Sequence, residues 1–187
     1  MVPLTQLWLP IILSAVIVFV ASSLIHMVLK WHNSDYRALP NEDEIRAAIR
    51  KGSPEPGQYV MPRCNDMKDM GKPEVQQKYK EGPVGFLVLV PNGVPKMGRA
   101  MIQWVLFTAA VAFMAAYVAG HTLGAGTHYL QVFRVVGTVS FLTYAGGSVQ
   151  AGIWMGKPCG AVLKDLLDGL IYGLLSAGVF GWLWPRI

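Results

Sequence analysis

The sequence predicts an all-α integral membrane protein, a bundle of four transmembrane helices with a small α+β cytoplasmic insert between helices 1 and 2. The composition supports this fold class, because the 187 residues are 53% apolar and only 14% charged, and the mean hydropathy is +0.39. In typical soluble domains about a quarter of the residues are charged. Four long apolar runs predict the four helices, and the concentration of charge in one stretch predicts the insert. The composition excludes a disordered chain, and the wide spacing of Cys64 and Cys159 excludes a disulfide scaffold or a cysteine zinc site.

Each apolar run is long enough to cross a membrane, which takes about 20 mostly apolar residues. The first run precedes any charged side chain, and the N-terminus lacks the basic residues of a signal peptide, so we expect an uncleaved anchor. The last two runs are separated by the short segment GKPCG, whose glycines and proline predict a tight turn. The predicted spans are residues 7–29, 100–119, 130–155 and 161–184.

The charged residues define the domain organisation. Residues 30–99 hold 12 of the 16 Lys and Arg and 9 of the 11 Asp and Glu. We therefore divide the chain into a first transmembrane helix (1–29), an insert (30–98) and three further transmembrane helices (99–187).

Within the insert, two short helices are predicted from their start and stop signals. The first runs from the cap residue Asn41 to Gly52, with acids in its first turn and bases in its last. The second begins at Pro73 and ends at Gly82. The short apolar segments 58–61 and 86–90 are expected to be extended and to form a small pair of strands.

The distribution of basic residues predicts the orientation in the membrane. Lys and Arg are concentrated in the insert and in the turn containing Lys157, and cytoplasmic loops carry such an excess. The expected location is the bacterial cytoplasmic membrane, with both termini outside and the insert in the cytoplasm. The net charge of +5 then predicts attraction to anionic lipids. No nucleic-acid partner is expected, because the bases are interleaved with acids and no aromatic stacking platform accompanies them.

Small residues recur every four positions in the fourth span, where they would let another helix approach closely. Two interpretations remain open: packing inside the bundle, or docking of another membrane subunit or a second copy of this chain. For partner contacts or helix packing the sequence singles out Arg134, Gly169, Gly173, Ala177, Gly181, Phe86, Val88 and Val90.

Ionisable residues inside spans are functional candidates. Asp165 and Asp168 lie near the start of the fourth span, at a depth comparable with His26 and Gln150. One interpretation is a hydrated helix start, where the helix dipole favours negative charge. The other is a polar path formed by these four residues.

The sequence predicts no catalytic residue, cofactor site or metal site. It contains no nucleophile elbow, phosphate-binding glycine loop or HExxH motif. A haem held between two spans requires histidines on different helices at one height, and the histidine positions do not predict such a pair.

Three segments, SSLIHMVLKWHNSDYRALPNEDEIRAAI (22–49), GPVGFLVLVPNG (82–93) and QVFRVVGTVSFLTYAGG (131–147), carry a resemblance. The chain resembles a group of small uncharacterised bacterial membrane proteins with four spans. The resemblance implies a bacterial membrane setting and no catalytic residue.

These observations lead to two hypotheses of function. The first is a non-catalytic accessory or structural subunit of a larger bacterial membrane complex for energy transduction or transport. The alternative is a small transporter or channel with a polar path near Asp165 and Asp168.

Overall fold

The computed structural model describes residues 1–186, of which most are helical, with six α-helices, several single-turn segments and one small sheet. In chain order the elements are α1 (Trp8–Ser23), α2 (Glu42–Lys51), β1 (Gly57–Met61), α3 (Pro73–Glu81), β2 (Gly85–Leu89), α4 (Met97–Thr122), α5 (Tyr129–Met155) and α6 (Cys159–Trp182). They form two compact units. A helical unit contains Met1–Tyr36 and the chain from Lys96 onward, and a smaller unit contains Arg37–Pro95.

Three helices are long and apolar enough to cross a membrane. They are the first helix with its π-helical continuation (Trp8–Leu29), α4 and α5. The fourth long helix, α6, has 24 residues but carries Lys164, Asp165 and Asp168 in its first half. Its composition alone does not mark it as a span.

The four long helices pack as a closed ring, in which α1 contacts α4 and α6, and α5 contacts α4 and α6. The packing of α6 on α5 is the most extensive of these pairs. It depends on the small-residue stripe, since a Cβ placed on Gly169 would lie 2.7 Å from the Cβ of Ala145. A Cβ on Gly173 would lie 3.2 Å from the carbonyl oxygen of Gly137. Within the described chain, the stripe therefore serves internal packing.

The helical unit has an apolar core at the end that contains the 123–128 loop, called here the loop end. Leu7, Val132, Val136 and Phe180 are fully buried there. The N-terminal segment closes this core, because the Val2 amide donates a hydrogen bond to the carbonyl oxygen of Gly120 at 2.8 Å. Dense apolar packing at this end leaves the polar residues concentrated at the opposite end.

The smaller unit contains the two predicted helices and the predicted pair of strands. The strands β1 and β2 are antiparallel, with Val60 opposite Phe86 and Gln58 opposite Val88. Asn41 precedes α2, but its side-chain amide donates to Glu44 rather than accepting from the backbone. Phe86 and Val88 share one face of the sheet and are 52% and 58% exposed, so this apolar face is open.

Candidate functional site

The polar site lies at the end of the helical unit that contains the Gly156–Pro158 turn, called here the turn end. Lys30 brings the chain to it, because its left-handed backbone (φ 52°) ends the π-helical segment and reverses the chain. A 3-10 turn, Trp31–Asp35, follows immediately. Although the charge count includes these residues in the insert, they belong to the helical unit and contact α6.

Lys164 of α6 holds this turn in place. Its ammonium group donates to the carbonyl oxygen of Trp31 at 2.8 Å, to the Ser34 hydroxyl at 2.7 Å and to Asp35 Oδ1 at 2.6 Å. Three hydrogen bonds use the full donor capacity of a lysine. The Lys164 contact therefore fixes the position of His32, which lies inside the turn.

Two histidines and one aspartate meet at the centre of the site. Asp168 Oδ2 lies 2.9 Å from His32 Nε2 and 3.7 Å from His26 Nε2. The two imidazole rings are stacked, with centroids 4.7 Å apart and planes inclined by 6°. Asp168 is 5% exposed, whereas the His26 side chain is half exposed. The cluster thus joins a buried carboxylate to an accessible imidazole.

The other ring nitrogen of each histidine has its own partner. His26 Nδ1 lies 3.0 Å from the carbonyl oxygen of Ser22, and His32 Nδ1 lies 2.8 Å from Asp35 Oδ2. A carbonyl oxygen only accepts, so His26 Nδ1 is the donor of this hydrogen bond, and Nε2 is the nitrogen that faces Asp168. These contacts turn both Nε2 atoms towards Asp168.

Asp35 is the acidic partner at His32 Nδ1, across the imidazole ring from Asp168. The hydrogen bond from Lys164 lowers the pKa of the Asp35 carboxyl, and the His32 hydrogen bond acts in the same direction. Burial opposes both effects but does not cancel them. Asp35 is therefore ionised at neutral pH and accepts from both neighbours.

A cavity of about 360 Å³ opens beside the cluster between all four helices. Its lining combines aromatic side chains from α4, α5 and α6 with the charged groups of the turn end, including His26, Trp104, Tyr144, Lys157, Asp165, Asp168 and Tyr172. Asp168 Oδ1 and the Tyr172 hydroxyl are buried and have no hydrogen-bond partner among residues 1–186. Buried polar atoms are normally paired, so these two atoms, on side chains that line the cavity, keep unused hydrogen-bonding capacity.

Asp165 forms a second polar group at the same cavity. Its Oδ2 atom accepts hydrogen bonds from the Lys157 ammonium group and the Ser148 hydroxyl. This ion pair connects the α5–α6 turn to the first half of α6. The charge of the Asp165 carboxylate is therefore neutralised by Lys157, whereas Asp168 Oδ1 has no partner among the described residues.

The predicted site residues fall into two groups. Of the proposed polar path, His26, Asp165 and Asp168 line the cavity, whereas Gln150 is exposed on α5 and is not among the lining residues. Arg134 is also exposed on α5, beside a groove lined by Gly137 and Leu170.

His32 is the central residue that sequence reasoning missed. Because His32 follows the first span, the sequence places it in the insert. Nothing in the sequence marks the left-handed backbone at Lys30 that brings His32 back to the helices. The spacing of His32 and Asp35, three residues apart in HNSD, was the available clue. Lys164 has no predicted partner in the sequence, and the structure pairs it with Asp35.

Comparisons with known proteins give no family for this chain: no family model, no curated protein and no solved structure matches it. The function is therefore argued from the site.

Proposed function

We propose that the protein is an integral membrane protein with four spans that binds and carries cations through its helix bundle. In this proposal α6 is the fourth span, both termini lie outside the bacterial cytoplasmic membrane, and the insert lies in the cytoplasm. At 1.5 Å per residue the 24 residues of α6 measure about 36 Å, which is enough to cross a hydrocarbon core of about 30 Å. Its contacts with α1 and α5 in the closed ring support this assignment.

The observation that carries the proposal is the buried carboxylate of Asp168 at a cavity between the helices. Ionisable groups inside spans are costly and usually mark ion or substrate pathways. Asp168 keeps one oxygen without a partner among the described residues, and that oxygen belongs to a side chain lining the cavity. Most buried polar side-chain atoms have a hydrogen-bond partner, so the unpaired oxygen favours a role in binding over a role in helix packing alone.

The buried face of α6 extends this polar character along the helix. Asp168, Tyr172 and Ser176 recur every four residues and are 5%, 3% and 2% exposed. Residues at this spacing share one helix face. The rise from Asp168 to Ser176 is about 12 Å at 1.5 Å per residue, so the polar face covers about a third of the length of α6.

A second candidate function is the accessory subunit of a larger membrane complex. The exposed apolar side chains of β2 favour it, since Phe86 and Val88 share a face of the sheet and Val90, just beyond the strand, is 74% exposed. Such a face suits contact with another protein. Extraction of the native membrane in mild detergent, followed by mass spectrometry of the chains that co-migrate, tests this candidate.

Flux through reconstituted vesicles tests the first proposal. The purified chain is placed in vesicles of neutral and anionic lipid that contain a pH-sensitive or a zinc-sensitive dye, and a proton or Zn²⁺ gradient is imposed. We expect the wild type to exceed empty vesicles for at least one ion. Asp168→Asn removes the charge at nearly constant volume and should lower that flux at least tenfold.

Asp43→Asn is the matched control, because the Asp43 side chain is 99% exposed and lies in α2. It should leave flux unchanged. Size-exclusion profiles of both variants check that each is folded. Wild-type vesicles no faster than empty ones, or an Asp168→Asn variant as active as wild type, would overturn the proposal.

A further inference from the structure

We infer that His26, His32 and Asp168 form a binding site for a divalent transition-metal ion of the Zn²⁺ type. The inference deepens the proposed function, on which it rests for its biological meaning, by naming the class of cation. The sequence alone predicts no metal site, because nothing in it places His32 beside His26 and Asp168. Here the third ligand is a carboxylate from α6.

The spacing of the ligand atoms is suited to one ion. One atom from each residue lies within 4.8 Å of the other two. Zinc bonds to nitrogen and oxygen are about 2.0 to 2.2 Å long, so two ligands of a tetrahedral ion are about 3.3 to 3.5 Å apart. The distances from Asp168 Oδ2 to the two Nε2 atoms, 2.9 and 3.7 Å, lie on either side of that value.

The contacts behind the ligands are those that orient histidine on a metal. Histidines that bind metals usually donate their second ring nitrogen to a carboxylate or a backbone carbonyl, which fixes the tautomer and the ring. His32 Nδ1 faces the Asp35 carboxylate and His26 Nδ1 faces the Ser22 carbonyl. Both Nε2 atoms are thereby presented on the side of Asp168.

The site also leaves room for further ligands. Three protein ligands with an open position are typical of zinc sites that exchange water or substrate. Asp168 Oδ1 is buried without a partner among residues 1–186, and the adjoining cavity of about 360 Å³ can hold several waters. The nearby cations do not oppose a metal, because Lys164 pairs with Asp35 and Lys157 pairs with Asp165.

One movement is required for binding. The lone pair of an imidazole nitrogen lies in the plane of its ring, and the two rings are now nearly parallel. Both Nε2 atoms reach one ion only when the rings tilt towards each other. His26 makes this tilt, because its side chain is 51% exposed, whereas the His32 side chain is 14% exposed and held from both sides.

Metal titration of the full-length protein in detergent, free of any histidine tag, tests the inference. Isothermal titration calorimetry with Zn²⁺ should give one ion per chain, and Co²⁺ should give visible absorption bands of a four- or five-coordinate site. Separate His26→Gln, His32→Gln and Asp168→Asn variants should each weaken Zn²⁺ binding at least tenfold. Asp35→Asn tests the orienting contact and should weaken it about 10- to 100-fold.

His121→Gln is the matched control, since His121 lies in the last turn of α4 and its ring contacts the Tyr117 carbonyl. It should bind Zn²⁺ like the wild type. No binding by the folded wild type, or equal weakening by His121→Gln and His32→Gln, would overturn the inference.

The two proposals fail in different ways. Proton flux that depends on Asp168, without Zn²⁺ binding, would overturn the metal site and keep the transport proposal. Stoichiometric Zn²⁺ binding without flux of either ion would overturn transport and keep the metal site.

Discussion

Replacing Gly169 by alanine tests whether the small-residue stripe holds α5 and α6 together. A Cβ at this position would lie 2.7 Å from the Cβ of Ala145 and 3.1 and 3.2 Å from its backbone nitrogen and Cα. Carbon atoms in ordinary contact are about 3.5 to 4.0 Å apart. Because backbone atoms cannot rotate away, the two helices must separate locally by roughly 0.8 Å.

The size of the effect follows from two opposing contributions. Added bulk in a well-packed core costs about 1 to 3 kcal/mol, while alanine in place of glycine favours the helix by about 1 kcal/mol. A control at Gly146 of α5 distinguishes the two contributions, because a Cβ there has no described neighbour within 4 Å. Gly146→Ala should therefore gain the helix preference alone, and Gly169→Ala should be about 1 to 3 kcal/mol less stable than Gly146→Ala.

Unfolding in mixed micelles with increasing dodecyl sulfate, followed by circular dichroism, measures this difference. Gly173→Ala should fall between the other two variants, because the three nearest atoms to its added Cβ are all at 3.2 Å. Equal shifts for Gly169→Ala and Gly146→Ala would refute the close approach of α5 and α6. In that case the stripe would be free to contact a partner protein, and the Gly169→Ala variant would no longer co-migrate with that partner after extraction from native membranes.

Three further outcomes are expected. Trp104→Phe removes the 2.7 Å hydrogen bond from the indole to Ser22 and should lower the free energy of unfolding by about 0.6 to 1.7 kcal/mol in the same micelle assay. Lys30→Gly should preserve Zn²⁺ binding, because glycine accepts the left-handed backbone, whereas branched Lys30→Val should weaken it by displacing the following turn. The pKa of Asp35 is lowered in the folded protein, so its stabilising contribution is present above pH about 4 and is lost as the pH falls through the folded-state pKa. The Asp35→Asn variant lacks this contribution, so its melting temperature should fall less than that of the wild type when the pH is lowered.

The helices and the sheet were largely predictable because their signals are local. The predicted span 130–155 corresponds to α5, and the predicted helix and strand pair of the insert are present at Glu42–Lys51 and at the β1–β2 ladder. Apolar length, capping residues and Pro or Gly boundaries each act within a few residues. Three spans are supported by length and composition, while the fourth stays a proposal.

The site was only half predictable because it depends on a chain reversal. Counting 1.5 Å per residue places His26 and Asp168 at comparable depth, and the structure brings them to 3.7 Å. The same count moves His32 away from the bundle, since it assumes that the chain continues in one direction. The left-handed Lys30 breaks that assumption, and His32 returns to within 2.9 Å of Asp168.

The charges of α6 explain why composition alone does not mark the proposed fourth span. Hydropathy treats each charged side chain as unpaired, yet each one in α6 has an oppositely charged or hydrogen-bonding partner from outside the helix. Lys164 contacts Asp35, Asp165 contacts a lysine of the preceding turn, and Asp168 contacts His32. Pairing offsets much of the cost of removing charge from water, whereas breaking such a pair leaves an uncompensated charge. Two of the three partners lie in the 3-10 turn after Lys30, so the reversal that completes the metal site also neutralises the first half of α6. We therefore expect variants that displace this turn to impair membrane insertion of α6 together with Zn²⁺ binding, whereas His26→Gln should impair binding alone.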